Sequence, residues 1–257
     1  MINHYIVMAS AYSIGKRIVL DYHSESELPI EQITKDINYI NEFCGTDIAL
    51  SSHLIQTEST SWESVEKKDN FFEDALVIKD KEEFTKILFE DRFLKGTDVA
   101  KYILSIVPCT HLKLQKLVYM CYAEYLCGEN ENLFNDKIYA YRLGPVIESV
   151  YERYKKSGYG KLAIEDDELI YNEESKQMAS QSRIMASKNG LKKLISIETT
   201  ISKYGNYTAS DLVKLTHQKN TPWKKTGSGL ISNKIIEDEI IKEFHHNEIN
   251  YNNILNK

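Results

Sequence analysis

The 257-residue chain has no uncharged apolar run near the ~18–20 residues that a membrane helix requires, so no span is expected. Its four cysteines, Cys44, Cys109, Cys121 and Cys127, include no C-x-x-C pair. Zinc ribbons and dithiol redox centres both depend on such close pairs, so the cysteines read as reduced thiols, with Cys121 and Cys127 packed in an apolar interior. A G-x-G-x-x-G or Walker loop is absent, which removes the common phosphate cradles. No Ser/His/Asp order stands out. Positive charge is in deficit: 32 Lys and Arg face 38 Asp and Glu, for a formal net charge of -6. The chain therefore lacks a global field for a polyanion, and nucleic acid is not the expected partner. The N-terminus carries neither the positive segment nor the long apolar run of a signal peptide. These absences point to a cytoplasmic protein with no cofactor, no bound metal and no membrane partner.

What is present is an ordinary folding composition, 42% hydrophobic and 27% charged, on a chain long enough for two domains. There is no internal repeat. Residues 1–95 read as a mixed α/β domain of unassigned role. The run "HYIVMASAYSIGKRIVLDY" is apolar in both helical and strand registers, so its period decides nothing. Downstream, Ile30, Ile33, Ile37 and Ile40 recur at steps of three and four after Pro29, and Gly45 follows. That spacing predicts an amphipathic helix with its stop. "DIALSSHLIQTES" alternates like a strand, and "STSWESVEKKDN" reads as a polar connection. "DALVIKDKEEFTKILFED" predicts a short strand and then a helix capped by Asp80, with Glu83 completing the box.

From Thr97 the texture becomes helical. "TDVAKYILSIV" predicts a helix capped by Thr97 and ended by Pro108. Thr110 then caps a helix in which Leu114, Leu117, Val118, Cys121, Tyr122 and Tyr125 form one stripe, while Met120, Ala123 and Leu126 carry the apolar surface round the cylinder. A helix apolar on most sides has to be enclosed by other elements, so this is the expected core helix. Ile138 to Leu143 favours an extended conformation, Gly144 permits a sharp turn, and Pro145 presets φ for a following helix that buries Val146, Val150 and Tyr154 and ends near Gly158. Two more helices follow, one stopped by Gly205 and one opened by Thr208 with Asp211. Residues 227–257 read as a polar helix and tail on the surface.

The segments "LKLQKLVYMCYAEYL", "IYAYRLGPVIESVYERYKKSG" and "LVKLTHQKNTPWKK", in this order, resemble the Panacea domain family of SocA-like and GepA-like proteins from bacteria and their phages. The resemblance covers residues 97–226. Tyr141 stands where the family usually has tryptophan, and His111 where its cap region often has proline. The first 95 residues match neither the helix-turn-helix nor the zinc-ribbon attachments of some members. The resemblance implies a compact, mainly helical C-terminal Panacea-type domain; with the smaller mixed α/β N-terminal domain read from residues 1–95, the expected fold class is α+β. It implies an antitoxin, not an enzyme, that neutralises a cognate protein toxin of a toxin–antitoxin system by direct binding. The alternative is a SocA-like proteolytic adaptor that delivers the bound toxin to a ClpXP-type protease. A homo-oligomer stays open.

Candidate partner-binding residues are Tyr141, Arg142, Gly144, Pro145, His217 and Trp223. Arg142 offers a planar fork suited to an interface, or an internal salt bridge to Glu124 or Glu148. His217 is a general base if a nucleophile lies within reach, or a helix C-terminal imidazole that satisfies carbonyls and the dipole. Trp223 anchors either the core helix or a partner. Tyr139, Tyr141, Tyr151 and Tyr154 form an aromatic stripe, mostly core. Lys113, Lys116, Lys155 and Lys156 read as solvated faces, and the Glu165–Glu168 run as a solvated acidic loop. No catalytic residue is assigned.

Overall fold

The computed structural model describes residues 1–157, 160, 162, 173–227 and 234–250. The chain forms two compact units, Met1–Phe93 and Leu94–Lys257, and the architecture is α+β.

The first unit is built on strands β1 (Ile2–Ala11), β2 (Lys16–Ser24), β3 (Ser51–Thr57) and β4 (Leu76–Val77), ordered β3-β1-β2-β4. β1 and β2 form an antiparallel hairpin in which His4 faces His23 and Ala11 faces Lys16. The turn between them needs Gly15, whose φ of 64° lies where side chains are disfavoured. Helices α1 (Ile30–Cys44) and α3 (Lys81–Asp91) cover one sheet face over Val7, Ala9, Ile18 and Leu20. Helix α2 (Trp62–Lys68) and a 3-10 turn at Asn70–Phe72 cover the other over Ile6, Met8 and Val19. β1 is thus buried on both sides, which is why its sequence is a continuous apolar run with no readable period.

The expected helix after Pro29, the strand from Ser51 and the Asp80 cap are all present. Asp80 accepts the Glu82 N–H at 3.3 Å. The expected polar connection at residues 59–70 is instead helix α2, held by Val65 in the core. Val65, with the half-buried Trp62 packed against the same cluster, docks a seven-residue helix whose composition alone reads as loop.

The second unit is helical. Its elements are α4 (Gly96–Ile106), α5 (His111–Glu129), β5 (Ile138–Tyr141), β6 (Gly144–Ile147), α6 (Glu148–Tyr154), α7 (Glu173–Met185), α8 (Gly190–Tyr204), α9 (Ala209–Thr216), α10 (Pro222–Gly227), β7 (Lys234–Ile235), α11 (Asp238–Phe244) and α12 (His246–Asn250). α5 runs through the centre, with Leu114 through Ala123 buried without interruption. Thr110 Oγ1 accepts the Lys113 N–H at 3.3 Å as its cap. Each large apolar side chain so enclosed contributes roughly 1.5–3 kcal/mol, so this helix carries much of the unit's stability. The Thr208–Asp211 capping box of α9 also forms as expected.

Three expectations are corrected here. The cap of α4 is Lys95, two residues before the expected Thr97, and the Asp98 carboxylate accepts the Lys95 N–H at 2.9 Å. Cys127 is exposed, unlike Cys121. Pro145 does not open a helix: Gly144–Ile147 is strand β6, antiparallel to β5, and the helix begins at Glu148. Proline is tolerated there because β6 is an edge strand. The C-terminal segment also differs from a surface tail among its described residues. β7 joins the sheet beside β5, Ile236 and Ile241 enter the core, and Glu248 is fully buried.

A cleft over a buried lysine

The site grows from the β5–β6 hairpin. Tyr141 pairs with Gly144, so only Arg142 and Leu143 form the turn, and both side chains project outward. Gly144 has φ 105°, a conformation that disfavours any side chain. A Cβ at this position would stand 3.0 Å from Lys116 Nζ and 2.9 Å from Thr216 Oγ1. The glycine therefore allows the hairpin to close directly over Lys116.

Lys116 is 0% exposed, and its ammonium donates to the Pro145 carbonyl at 2.7 Å. Burial lowers its pKa from 10.5 to about 7, against the opposing pull of the Glu248 carboxylate. The expectation of a solvated lysine is wrong for this residue. Its position four residues before Met120 and seven before Ala123 places it on the apolar side of an enclosed helix, and that was the available signal. Lys113 is likewise tied down, donating to the Gly205 carbonyl at 2.6 Å.

Around this floor lies a cleft of about 590 Å³, walled by the start of α5 (Thr110, His111, Gln115), the hairpin (Tyr141, Arg142, Leu143), Tyr151 of α6 and Ala209 of α9. Its aromatic groups form a ladder. The His111 and Tyr151 rings are 5.1 Å apart, Tyr151 and Tyr141 5.9 Å, and Tyr141 and Tyr139 6.5 Å. Tyr139, Tyr141 and Tyr151 are half-buried, whereas Tyr154 is in the core. Of the stripe expected to be mostly core, only Tyr154 is buried, and Tyr141 and Tyr151 line the cleft. Burial, and next the Glu148 charge, raise the Tyr141 phenol pKa, so the ring is neutral. Leu143 is 44% exposed at the rim. Burial and then the Lys116 charge lower the His111 pKa, and its Nε2 is buried with no hydrogen-bond partner among the described residues.

The six sequence candidates separate into two groups. Tyr141 and Arg142 line the cleft. Arg142 is exposed, and it forms no salt bridge to Glu124, whose carboxylate accepts from Lys203 at 2.7 Å and from Tyr204 at 3.0 Å. Gly144 and Pro145 are buried within the hairpin, and the buried Trp223 supports it from α10. Trp223 is 4% exposed, and its indole N–H donates to the Tyr141 carbonyl at 2.7 Å. His217 ends α9 and sits against Trp223 with ring centroids 3.8 Å apart. Burial first, then Lys116 and Lys224, lower its pKa to about 4, so it is neutral near pH 7 and lends no charge to the helix dipole. Its Nε2 has no partner among the described residues, so no nucleophile is placed for it to activate. His111, Tyr151 and Leu143 belong to the cleft although composition gave no reason to select them. The Glu165–Glu168 run lies outside the described residues.

Behind the floor, Glu248 accepts from Tyr119 Oη at 3.0 Å and lies 2.6 Å from His245 Nδ1. Burial dominates and raises the Glu248 pKa. The deep polar groups of this unit are therefore arranged in mutual contact beneath the hairpin, and the cleft itself presents aromatic, aliphatic and guanidinium groups. That chemistry suits a polypeptide surface, in which Tyr and Arg supply contact area and directional hydrogen bonds. No helix among the described residues is long and apolar enough to cross a membrane.

Residues 114–224 match the family model described as "Antitoxin SocA-like, Panacea domain". Antitoxin SocA of Caulobacter vibrioides (strain NA1000 / CB15N) is 27% identical over 124 residues, covering 48% of this chain and 62% of that protein. The chain thus spans less than two thirds of the length of that relative. No solved structure matches it. The segment from Leu114 to Lys224, which contains the core helix, the hairpin and the tryptophan that clamps it, is thus the part of the chain that matches the Panacea domain of SocA-like antitoxins.

Proposed function

We propose that this protein is an antitoxin that neutralises a cognate protein toxin by binding it directly, with the cleft between α5, the β5–β6 hairpin and α6 as the contact face. The observation that carries the reading is the composition of the cleft: the half-buried Tyr141 and Tyr151 with the exposed Arg142 and Leu143 surround a concavity of about 590 Å³. Tyrosine buries large area at low entropic cost, and an arginine whose fork has no salt bridge among the described residues is available to a partner carboxylate or carbonyl. The buried Trp223 and Gly144 hold that face rigid, which limits the ordering cost of binding. The protein acts by occupancy and needs no turnover.

The test is co-expression with the product of the adjacent reading frame. Wild-type protein restores growth and co-purifies with that product. Arg142→Ala combined with Tyr151→Ala, with unchanged thermal stability, loses both. Full neutralisation by the double variant would remove the cleft from the mechanism. The SocA-like alternative, in which bound toxin is handed to a ClpXP-type protease, predicts that toxin levels recover when that protease is absent. Neutralisation by occupancy predicts that they do not change.

A further inference from the structure

The first unit holds a second constellation, assembled by strand pairing. His4 and His23 are direct cross-strand partners on β1 and β2, and Asp21 lies two residues from His23 on β2. The nearest donor atoms of the three side chains all lie within 4.8 Å of one another. His4 Nδ1 is 3.0 Å from each Asp21 carboxylate oxygen, and His23 Nδ1 is 3.1 Å from Oδ2. Two imidazoles therefore converge on one carboxylate.

The far side of His4 fixes its tautomer. Nε2 lies 3.0 Å from the Ser59 carbonyl oxygen, which can only accept, and 3.1 Å from Thr57 Oγ1. Nε2 therefore carries the hydrogen, and in the neutral ring Nδ1 presents its lone pair to Asp21. A lone pair facing a carboxylate at 3.0 Å is repulsive unless a positive centre lies between them. A ring nitrogen that binds a metal while its opposite N–H is held by a backbone carbonyl is the usual arrangement of a ligating histidine. The two nitrogen–oxygen separations also agree. Zinc bonds of about 2.0–2.1 Å at tetrahedral angles hold donor atoms ~3.3 Å apart, close to the 3.0 and 3.1 Å seen here.

Access and burial fit as well. The His4 side chain is fully buried and that of Asp21 is 7% exposed, whereas that of His23 is 40% exposed. Asp21 and His23 line a cleft of about 680 Å³ through which a cation can reach the donors. We infer that His4, Asp21 and His23 form a divalent-cation site selective for Zn²⁺, with two imidazole nitrogens and one carboxylate as protein ligands and one position left for water or a further ligand. Imidazole donors favour zinc over the hard cations, magnesium and calcium. No sequence spacing announces this set, because His4 reaches the other two only through the hairpin register.

The test uses full-length, untagged protein freed of metal with a chelator and then dialysed. Titration calorimetry with Zn²⁺ should give one site per chain, and Co²⁺ should give the visible absorption of a low-coordinate complex. His23→Ala changes an exposed side chain and keeps the fold, which circular dichroism verifies. It should weaken Zn²⁺ binding at least ~100-fold, since loss of supporting groups alone costs 10–100-fold. Asp21→Asn should do the same. Absence of binding up to millimolar Zn²⁺ would overturn the inference. Binding of unchanged affinity in both variants would overturn it equally, by placing the metal elsewhere.

Discussion

Replacing Lys116 by methionine should abolish a rise in stability between pH 7 and pH 9 that the wild-type protein shows. The magnitude follows from linkage. The Lys116 pKa falls from 10.5 in the unfolded chain to about 7 in the folded one, with burial as the main cause. Between those values the unfolded chain holds the extra proton, so the free energy of unfolding increases with pH. Below pH 7 the folded state bears the full cost of the buried ammonium, and the cost fades as the group loses its proton. One pH unit corresponds to about 1.4 kcal/mol once the folded group is neutral. With half of it protonated at pH 7, the gain to pH 9 is about 2 kcal/mol. The window closes near pH 9 because the buried Tyr119, Tyr122 and Tyr204 phenols, raised by burial, lose stabilisation as the unfolded tyrosines ionise above it. Glu248 contributes in the opposite sense: its raised pKa stabilises the fold at low pH and that gain is lost as pH rises. The same pair of measurements on a Glu248→Gln background separates the two. Urea denaturation at pH 7, 8 and 9, with unchanged m-values, is the assay. Parallel profiles for wild type and Lys116→Met would refute the burial argument, and with it the description of the cleft floor.

Gly144→Ala should destabilise the protein by about 1–3 kcal/mol from its positive φ alone, with more from the contact with Lys116 and Thr216; a thermal shift assay reads the loss, and an unchanged midpoint contradicts the hairpin geometry. Trp223→Phe keeps an aromatic ring, smaller than the indole, and leaves the Tyr141 carbonyl without its indole donor; loss of that hydrogen bond alone should cost about 1–3 kcal/mol in chemical denaturation. Thr208→Ala removes the α9 capping box and should cost about 1 kcal/mol, without altering recovery of the adjacent-gene product in a pull-down.

The core helix was legible because its pattern is long: Leu114 to Tyr125 repeat at three and four over more than three turns. The caps at Thr110 and Thr208 were legible because capping is local chemistry. Lys116 was misread as solvated because charge outweighs position when each residue is judged by type. The fact that decides it, that α5 is enclosed on the Met120 and Ala123 side, was already implied by the same apolar pattern. β6 was misread because Gly-Pro is a turn-and-helix signal in isolation, and only pairing with β5 shows that Pro145 lies on an edge strand. Helix α2 rests on Val65 and was hidden in polar sequence. The cleft itself joins residues 110–116, 141–146, 151 and 209, and no local rule connects segments so far apart. Tyr141 and Arg142 could be selected beforehand from their types beside a conspicuous glycine, whereas His111 and Tyr151 required the fold.

If the cleft over Lys116 holds another polypeptide, affinity for the adjacent-gene product depends on the Arg142 side chain. Calorimetry on purified components should give a saturable complex that Arg142→Ala weakens by about 30-fold, the equivalent of a 2 kcal/mol interface hot spot. A complex of undiminished affinity after Arg142→Ala and Tyr151→Ala together would contradict the account.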